Sequence, residues 1–374
     1  MRVLHVITAL SGGGAERFVA SLTPALSEHL TRCGVLVVNP VAIPGPLAHA
    51  AKLDVLEINR RGRYDASFLG RMISAMRAWR PDVVHTHMFH GTYWGRVAAL
   101  AAGAPAIVRT EHLPCDPQAR VRGTAFADRI LNSATAAIVT FFPEQGRFLA
   151  RYEHFAEAKL AIIPNGIVHA PAPTRAQALE ARRGLRADAD AFVIVVLGNL
   201  HRHKNQTLAI DAVAELDAAH RRRVRLYFLG DGIDRPKLMS HVNERALREH
   251  VAFLGFRNDV AQLLPAADLL LMPSLSEGMP LALLEAMSAG VPALSTPWRG
   301  VRDMLRGGEL GTIADDFAPT TIARSIRAIM DEPERARQTA RKAQAVARVD
   351  YDIARTAARH VRLYESLVRR LSAA

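Results

Sequence analysis

Short unbroken apolar runs alternate along this chain with stretches whose apolar residues recur at helical spacing. The first series of runs reads RVLHVIT, RCGVLVVN, LDVLEI, DVVHTH, AIVRTE, AAIVT and LAIIPN; the second reads FVIVVLG, VRLYFLG, VAFLG, LLLMP and VPALST. Each run is continuous rather than alternating, rich in Val, Ile and Leu, and most close on a small or polar residue. Strands of this kind are buried on both faces, as in a parallel sheet covered by helices on either side. Between the two series, HAPAPTRAQALEARRGL (169–185) reads as a linker entering a helix. The pattern predicts an α/β protein of two doubly wound domains, 1–171 and 172–349, with functional residues at the carboxyl ends of strands and a cleft between the two edges. The last segment, YDIARTAARHVRLYESLVRRL, carries Ile353, Ala357, Val361, Tyr364 and Leu367 at helical spacing. It predicts an amphipathic helix within 350–374 with a basic outer face; packing back on the first domain is the expectation, though the spacing does not itself say which domain it meets.

Size and composition agree with this. At 374 residues the chain is too long for one ordinary core, and 49% hydrophobic with 22% charged residues is normal globular composition. Its start, MRVLHVITALSGGG, has too short an apolar part for a signal peptide and reads better as a first buried strand. No run of eighteen apolar residues occurs, so a cytoplasmic protein is expected. Cys33 and Cys115 stand far apart without a metal-ligand pattern and read as buried thiols of a reducing compartment. The formal charge is +12, and residues 335–374 hold 10 Lys+Arg against 3 Asp+Glu. Such a surface favours anionic partners, among them nucleotide phosphates and acidic lipid headgroups on the inner face of the membrane.

The most informative stretch is LSEGMPLALLEAMSAGVPAL (275–294), with Glu277 and Glu285 eight positions apart around Pro280. LLLMPS before it reads as a buried strand, LSEG as a turn, and Pro280 suits a first helical turn, where a missing N–H costs nothing. The free amides of that turn and the positive end of the helix dipole make a site for a diphosphate. Glu277 would accept from hydroxyls beside the phosphate, and Glu285, a turn and a half in, would grip a ribose diol. A merely dipole-complementing carboxylate explains Glu277 well enough. It does not explain Glu285, whose surroundings are apolar on nearly every side.

EGMPLALLE resembles the E-x7-E signature of retaining glycosyltransferases of the GT-B fold, specifically glycosyltransferase family 4. In the family's order, SGGGAER (11–17), DVVHTHMFHG, VRTEH (108–112), IPNGI (163–167), LGNLHRHKN (197–205) and GFRNDVAQLLPAADLLLMPSLSEG (255–278) resemble its other motifs, over most of the chain. The resemblance implies two Rossmann-like domains, with a nucleotide-diphosphate sugar bound by the second and the acceptor by the first. It implies catalysis without a metal or cofactor. Lys204 would then neutralise the departing diphosphate, helped by the backbone at Gly278, Met279 and Leu281. The family's second cation is replaced here by Asn199, and Arg202 stands near enough in sequence to substitute. His87, the second histidine of H-x-H, would touch the transferred sugar. Asn165 and Gly166 would form a structural turn at the domain hinge, and Phe141–Phe142 depart from the family's usual serine.

Read as chemistry, Gly12, Gly13 and Gly14 after the first strand permit close backbone approach to a phosphate or reacting sugar. A dinucleotide fingerprint would need glycine where Arg17 stands and an acidic residue where VLVVNP has Asn39, so a nicotinamide enzyme is disfavoured. A lone lysine in a turn, such as Lys204, is ordinarily just solvated; its place at a strand end beside the motif raises it. His85 reads as a satisfied core residue. Phe89, His90, Tyr93 and Trp94 suit an acceptor groove or, equally, the core side of the next helix; Glu111 and His112 close a strand, with His112 expected to face the cleft. The Asp pair of ADD (314–316) is too isolated for a magnesium site. The expectation is a retaining transferase moving a hexosyl unit from a nucleotide sugar to an envelope glycan or lipid-linked acceptor, with no nucleic-acid partner. The competitors are a nucleotide-sugar epimerase on the same fold and a non-catalytic basic binding protein.

Overall fold

The computed structural model describes residues 1–39, 53–62, 64, 65, 67–114, 124–171, 175–185 and 190–372. The chain forms two compact units, Met1–Val168 with Tyr351–Ala374, and His169–Asp350.

In unit 1 the seven apolar runs are seven strands: β1 (Arg2–Ile7), β2 (Arg32–Val37), β3 (Val55–Glu57), β4 (Val83–Thr86), β5 (Ala106–Thr110), β6 (Ala137–Thr140) and β7 (Leu160–Ile162). They form one sheet in the order β3-β2-β1-β4-β5-β6-β7. Neighbours pair in parallel throughout. The order reverses beside β1, the switch point at which open α/β sheets build their sites. Two glycines let the helix Phe89–Ala102 lie directly on β1: a Cβ on Gly91 would come within 2.7 Å of the Val6 carbonyl oxygen, and one on Gly95 within 2.9 Å of Val6 Cγ1.

Register decides what this sheet buries. His5 pairs with His85, and His85 with Val108. Partners in register share a face, as do residues two apart, so His5, His85, His87, Thr110 and His112 project to one side. That side is covered by the helix Gly14–Ser27 and by the terminal helix Ile353–Ser372, which pack on each other. Ile353, Ala357, Tyr364 and Leu367 are buried as the spacing predicts, but His360 and Thr356 join them and Val361 is only half-buried. The Asn165–Gly166 turn is closed tightly by this segment, since a Cβ on Gly166 would lie 2.6 Å from Thr356 Oγ1.

Unit 2 contains the five predicted strands and a sixth: β8 (Phe192–Leu197), β9 (Val224–Leu229), β10 (Val251–Gly255), β11 (Leu269–Met272), β12 (Ala293–Ser295) and β13 (Thr312–Ile313), ordered β10-β9-β8-β11-β12-β13 and again parallel. Two residues of β13 give too short a pattern to read from sequence. Phe228, Leu226, Ile194 and Leu271 sit at the centre of a core closed by the helices Gln206–Ala214 and Pro319–Asp331. At the strand ends Gly198 and Gly230 both have φ of +143°, and a Cβ on Gly230 would fall 2.1 Å from the Gly198 carbonyl oxygen. The loops that follow β8 and β9 are therefore in backbone contact, which fixes the loop carrying Lys204.

Candidate functional site

In unit 2, the turn Arg202–Lys204 after β8 and the loop 273–280 after β11 are tied together by the Leu275 amide, which donates to the His203 carbonyl at 2.9 Å. This brings Lys204 Nζ to 2.7 Å from Glu277 Oε1, and Ser274 Oγ donates to the same oxygen at 2.7 Å. Glu277 is 9% exposed, so the pair lies at a partly dry edge where its charges are weakly screened. Pro280 is extended (φ −71°, ψ 124°) and caps the helix Leu281–Ala289 from one residue before its start, rather than within the first turn as expected. The consequence is the same, because the N–H it lacks has no partner at that place. Pro280, at the N-cap, has no side-chain acceptor to offer the first amides of this helix. Gly278 is half-buried, and Met279 and Leu281 are buried. Glu285 follows in the second turn, half-buried, with Oε2 shut off from solvent. Asn199 and Arg202 are exposed, and the Asn199 carbonyl accepts from Gln206 Nε2 at 2.9 Å. Ser274 was missed in the sequence; nothing local marks it until β11 places it against the carboxylate.

The glycine loop of unit 1 differs from its expectation. Its amides are already engaged: Ser11, Gly12 and Gly13 donate to Glu16 Oε2 at 2.5, 2.6 and 3.0 Å, and Ser11 Oγ donates to the same carboxylate. Glu16 is the third residue of the helix that begins at Gly14, so its carboxylate makes the reach-back half of a capping box, with no return bond from Gly13, which lacks a side chain. The Gly13 amide thus serves the turn that Glu16 occupies, and the spacing Gly13-x-x-Glu16 was the legible signal. Gly14 is exposed.

His87, expected to reach the sugar, is fully buried. Its Nε2 lies 2.9 Å from His5 Nδ1, and its Nδ1 lies 3.1 Å from His112 Nε2. His112 as a residue is half-buried, whereas His5 and His87 are fully buried. His85 is satisfied at both nitrogens, by Tyr364 Oη at 2.6 Å and Thr110 Oγ1 at 2.7 Å. Burial, and then the neighbouring imidazoles, hold His85 and His87 well below the ordinary histidine range; burial brings His112 and His360 to about 4 and His5 to about 3. The cluster is neutral near pH 7. His5, His85 and His87 also place ring nitrogens within 4.8 Å of one another, close enough in principle to share a metal ion. Positions so far apart in sequence hid that grouping.

The aromatic residues after β4 are largely structural. Tyr93 Oη donates to Asp128 Oδ2 at 2.6 Å, and Trp94 meets Phe68 edge-on at 5.3 Å. His90 is half-buried, and Phe89 is exposed against Tyr93. Phe141 and Phe142 are buried, Phe141 beside His112. Below them lies a buried ion network: Arg109 bonds Glu111 and, at 2.7 and 3.0 Å, Glu153, while Arg96 bonds Asp128 at 3.0 Å and Asn132 at 2.8 Å. Burial works against the Arg109 charge, but Glu111 and Glu153 outweigh it and raise its pKa. Glu111 in turn accepts from the Leu113 amide, so the network anchors the segment that bears His112. In unit 2, Asp316 accepts from the Ala318 amide and Asp315 pairs with Arg324, which are structural uses of the ADD run. Cys33 is a buried thiol pushed up to about 12 by burial, and Cys115 lies outside the described residues. None of the described helices is long and apolar enough to cross a membrane.

Comparison with known proteins agrees with this architecture. The model of Glycosyltransferase Family 4 matches residues 12–170, and that of Glycosyl transferases group 1 matches residues 178–346. The Escherichia coli UDP-Gal:alpha-D-GlcNAc-diphosphoundecaprenol alpha-1,3-galactosyltransferase is 27% identical over 62% of this chain and 61% of its own length. The 2-deoxystreptamine glucosyltransferase of Streptomyces kanamyceticus is 26% identical over 89% of each chain. The crystal structure of Anabaena Alr3699/HepE in complex with UDP and glucose superposes with a TM-score of 0.88 at 19% identity, over 98% of this chain and 100% of that one. With both family models matched in order across the two units, the chain belongs to glycosyltransferase family 4, the group 1 glycosyl transferases, and is a glycosyltransferase of the GT-B class.

Proposed function

We propose that this glycosyltransferase moves a hexosyl unit from a UDP-sugar to an envelope glycan or lipid-linked acceptor, with retention at the anomeric carbon and without a metal. The observation that carries the donor half is the Lys204–Glu277 contact of 2.7 Å next to a helix start whose N-cap residue, Pro280, has no side-chain acceptor for the first-turn amides. An ammonium held at a fixed place and a row of helix amides are the groups needed to stabilise a departing diphosphate as an oxocarbenium-like sugar forms. Glu277, already bonded to Lys204 and Ser274, orients the sugar rather than attacking it. Glu285 holds the ribose, and Arg202 is the cation available in place of the one lost at Asn199. On the unit 1 side, His112 is the histidine available to a substrate, with His87 behind it. UDP as the nucleotide is supported by the E. coli relative's named donor and by the UDP complex of Alr3699/HepE. The diphosphoundecaprenol acceptor of that relative supports a lipid-linked one here. The basic surplus of residues 335–374 adds peripheral contact with an anionic membrane.

A panel of UDP-glucose, UDP-galactose, UDP-GlcNAc, GDP-mannose and ADP-glucose, with and without EDTA, tests the reading through nucleotide release and the anomeric configuration of the product. Release of UDP that survives EDTA, with an axial donor bond giving an axial product, is expected. Conversion of one UDP-sugar into its epimer with no acceptor present would replace transfer by epimerisation. No turnover of any donor would overturn the reading.

A further inference from the structure

The buried histidines of unit 1 are arranged in a line. His112 Nε2 meets His87 Nδ1 at 3.1 Å, and His87 Nε2 meets His5 Nδ1 at 2.9 Å. His5 Nε2 is buried and reaches no partner among the described residues. Three neutral imidazoles carry three protons, and each of the two contacts requires one proton between its nitrogens. Only two arrangements satisfy both contacts. In the first, every ring is protonated at Nδ1: His5 donates to His87, His87 donates to His112, and His112 keeps an N–H at its remaining nitrogen. In the second, every ring is protonated at Nε2, the donations reverse, and His112 Nδ1 is a bare acceptor. The two differ at the dry end of the line. The second strands an N–H on His5 Nε2 with nothing to receive it, and orphaned buried N–H groups are the rarer defect in folded proteins.

We propose that His5 and His87 are positioning residues for His112: the line of three rings selects the Nδ1–H form, so that His112 offers a substrate oxygen a hydrogen-bond donor rather than a base. The ring is held in place as well. Phe18 and Phe141 pack on His112 at centroid distances of 6.3 and 5.7 Å, and Glu111, one residue back, is locked by Arg109. The functional consequence rests on the transferase reading above, but the proton arrangement does not.

Long-range 1H–15N correlation spectra of the histidine-labelled protein report each tautomer directly. Nδ1–H signatures for His5, His87 and His112 are expected. In His87→Leu, His112 should revert to the Nε2–H form that free histidine prefers. In His87→Asn the side-chain amide can donate from the place of Nδ1, so the native form should be kept. With UDP-glucose, or whichever donor the panel selects, His5→Phe and His87→Leu should lower kcat about tenfold or more while KM for the donor stays within about twofold. His87→Asn should recover most of the loss. All of this is read below the melting temperature of each variant. An Nε2–H form of His112 in the wild-type protein overturns the proposal. Unchanged kcat in both disruptive variants overturns it too, as does a stoichiometric metal ion on the three histidines, since metallation would consume the lone pairs the line depends on. If the wild-type protein turns over no nucleotide sugar, the donor reading fails and the tautomers alone decide.

Discussion

At the scale of residues, Lys204 and Glu277 show how two groups far apart in sequence become one device. Each stands at the carboxyl end of a strand, and β8 and β11 are neighbours in the sheet. The net worth of the pair to stability is small, because desolvation of groups this buried offsets most of their attraction, and without Lys204 the Glu277 carboxylate still accepts from Ser274. Its removal should therefore be read in turnover. Lys204→Ala and Glu277→Gln are expected to keep the melting temperature within a few degrees and to lower kcat on the nucleotide sugar by about a hundredfold or more. Glu285→Ala should mainly raise KM. Wild-type turnover in all three would remove the donor assignment. These residues were legible because strand ends and helix starts follow local rules. His112 and its supports were only half legible: VRTEH marked the strand end, but the line behind it joins residues 5, 87 and 112, and only strand register brings those together.

At the scale of elements, the glycine loop and the segment after β5 each have an internal anchor. The Glu16 carboxylate satisfies the Ser11, Gly12 and Gly13 amides, so Glu16→Ala frees three donors in a half-buried loop. A loss of about 1–3 kcal/mol is expected, seen as a lower denaturant midpoint with unchanged slope. Glu16→Gln should recover part of it. No change would mean that water serves the amides equally well. The second anchor is stronger. Arg109→Leu leaves Glu111 and Glu153 buried without their main cation and should cost about 3–5 kcal/mol, with faster amide exchange at 111–113. The twelve predicted strands were readable because a strand buried on both faces is apolar throughout. The Arg109–Glu153 network was not. VRTE and RYEHF each look like ordinary polar punctuation until β5 and the helix Pro143–Glu153 bring them together.

At the scale of the whole molecule, five histidines, His5, His85, His87, His112 and His360, are held neutral in one unit. Each has a folded-state pKa below the ordinary 6.5. As the pH falls through 6.5, the unfolded chain takes up protons that the folded unit refuses, so the unfolded state binds more protons and stability falls with pH. Their contribution is present above pH 6.5 and is lost progressively as the pH falls below it, down to about 4 for His112 and His360 and about 3 for His5, at up to about 1.4 kcal/mol per pH unit for each histidine. Thermal melts from pH 8 to pH 5 should show unit 1 weakening first. A double His85→Gln, His360→Gln variant should flatten that profile, and an equally steep profile in it would place the sensitivity elsewhere. At one corner of unit 2 the sign is opposite. His220, bonded to Asp331 and Asp217, has a raised pKa, so its contribution is present below 6.5 and fades as the pH rises through its folded value.

What the sequence determined by itself was everything carried by neighbours along the chain: the strands, the helix Leu281–Ala289 with Glu277 before it and Glu285 within it, the amphipathic tail, and hence the architecture and the family. Hydrophobic period and turn chemistry are short-range properties, and they survive without knowledge of the fold. What tertiary structure decided was which polar groups are spent inside the protein and which are left for a substrate. Arg109 went to Glu153, His87 went beneath His112, and Tyr93 went to Asp128. A buried polar group must find a partner, and that partner is chosen by sheet register and helix packing across tens of residues, at a range the linear pattern does not encode.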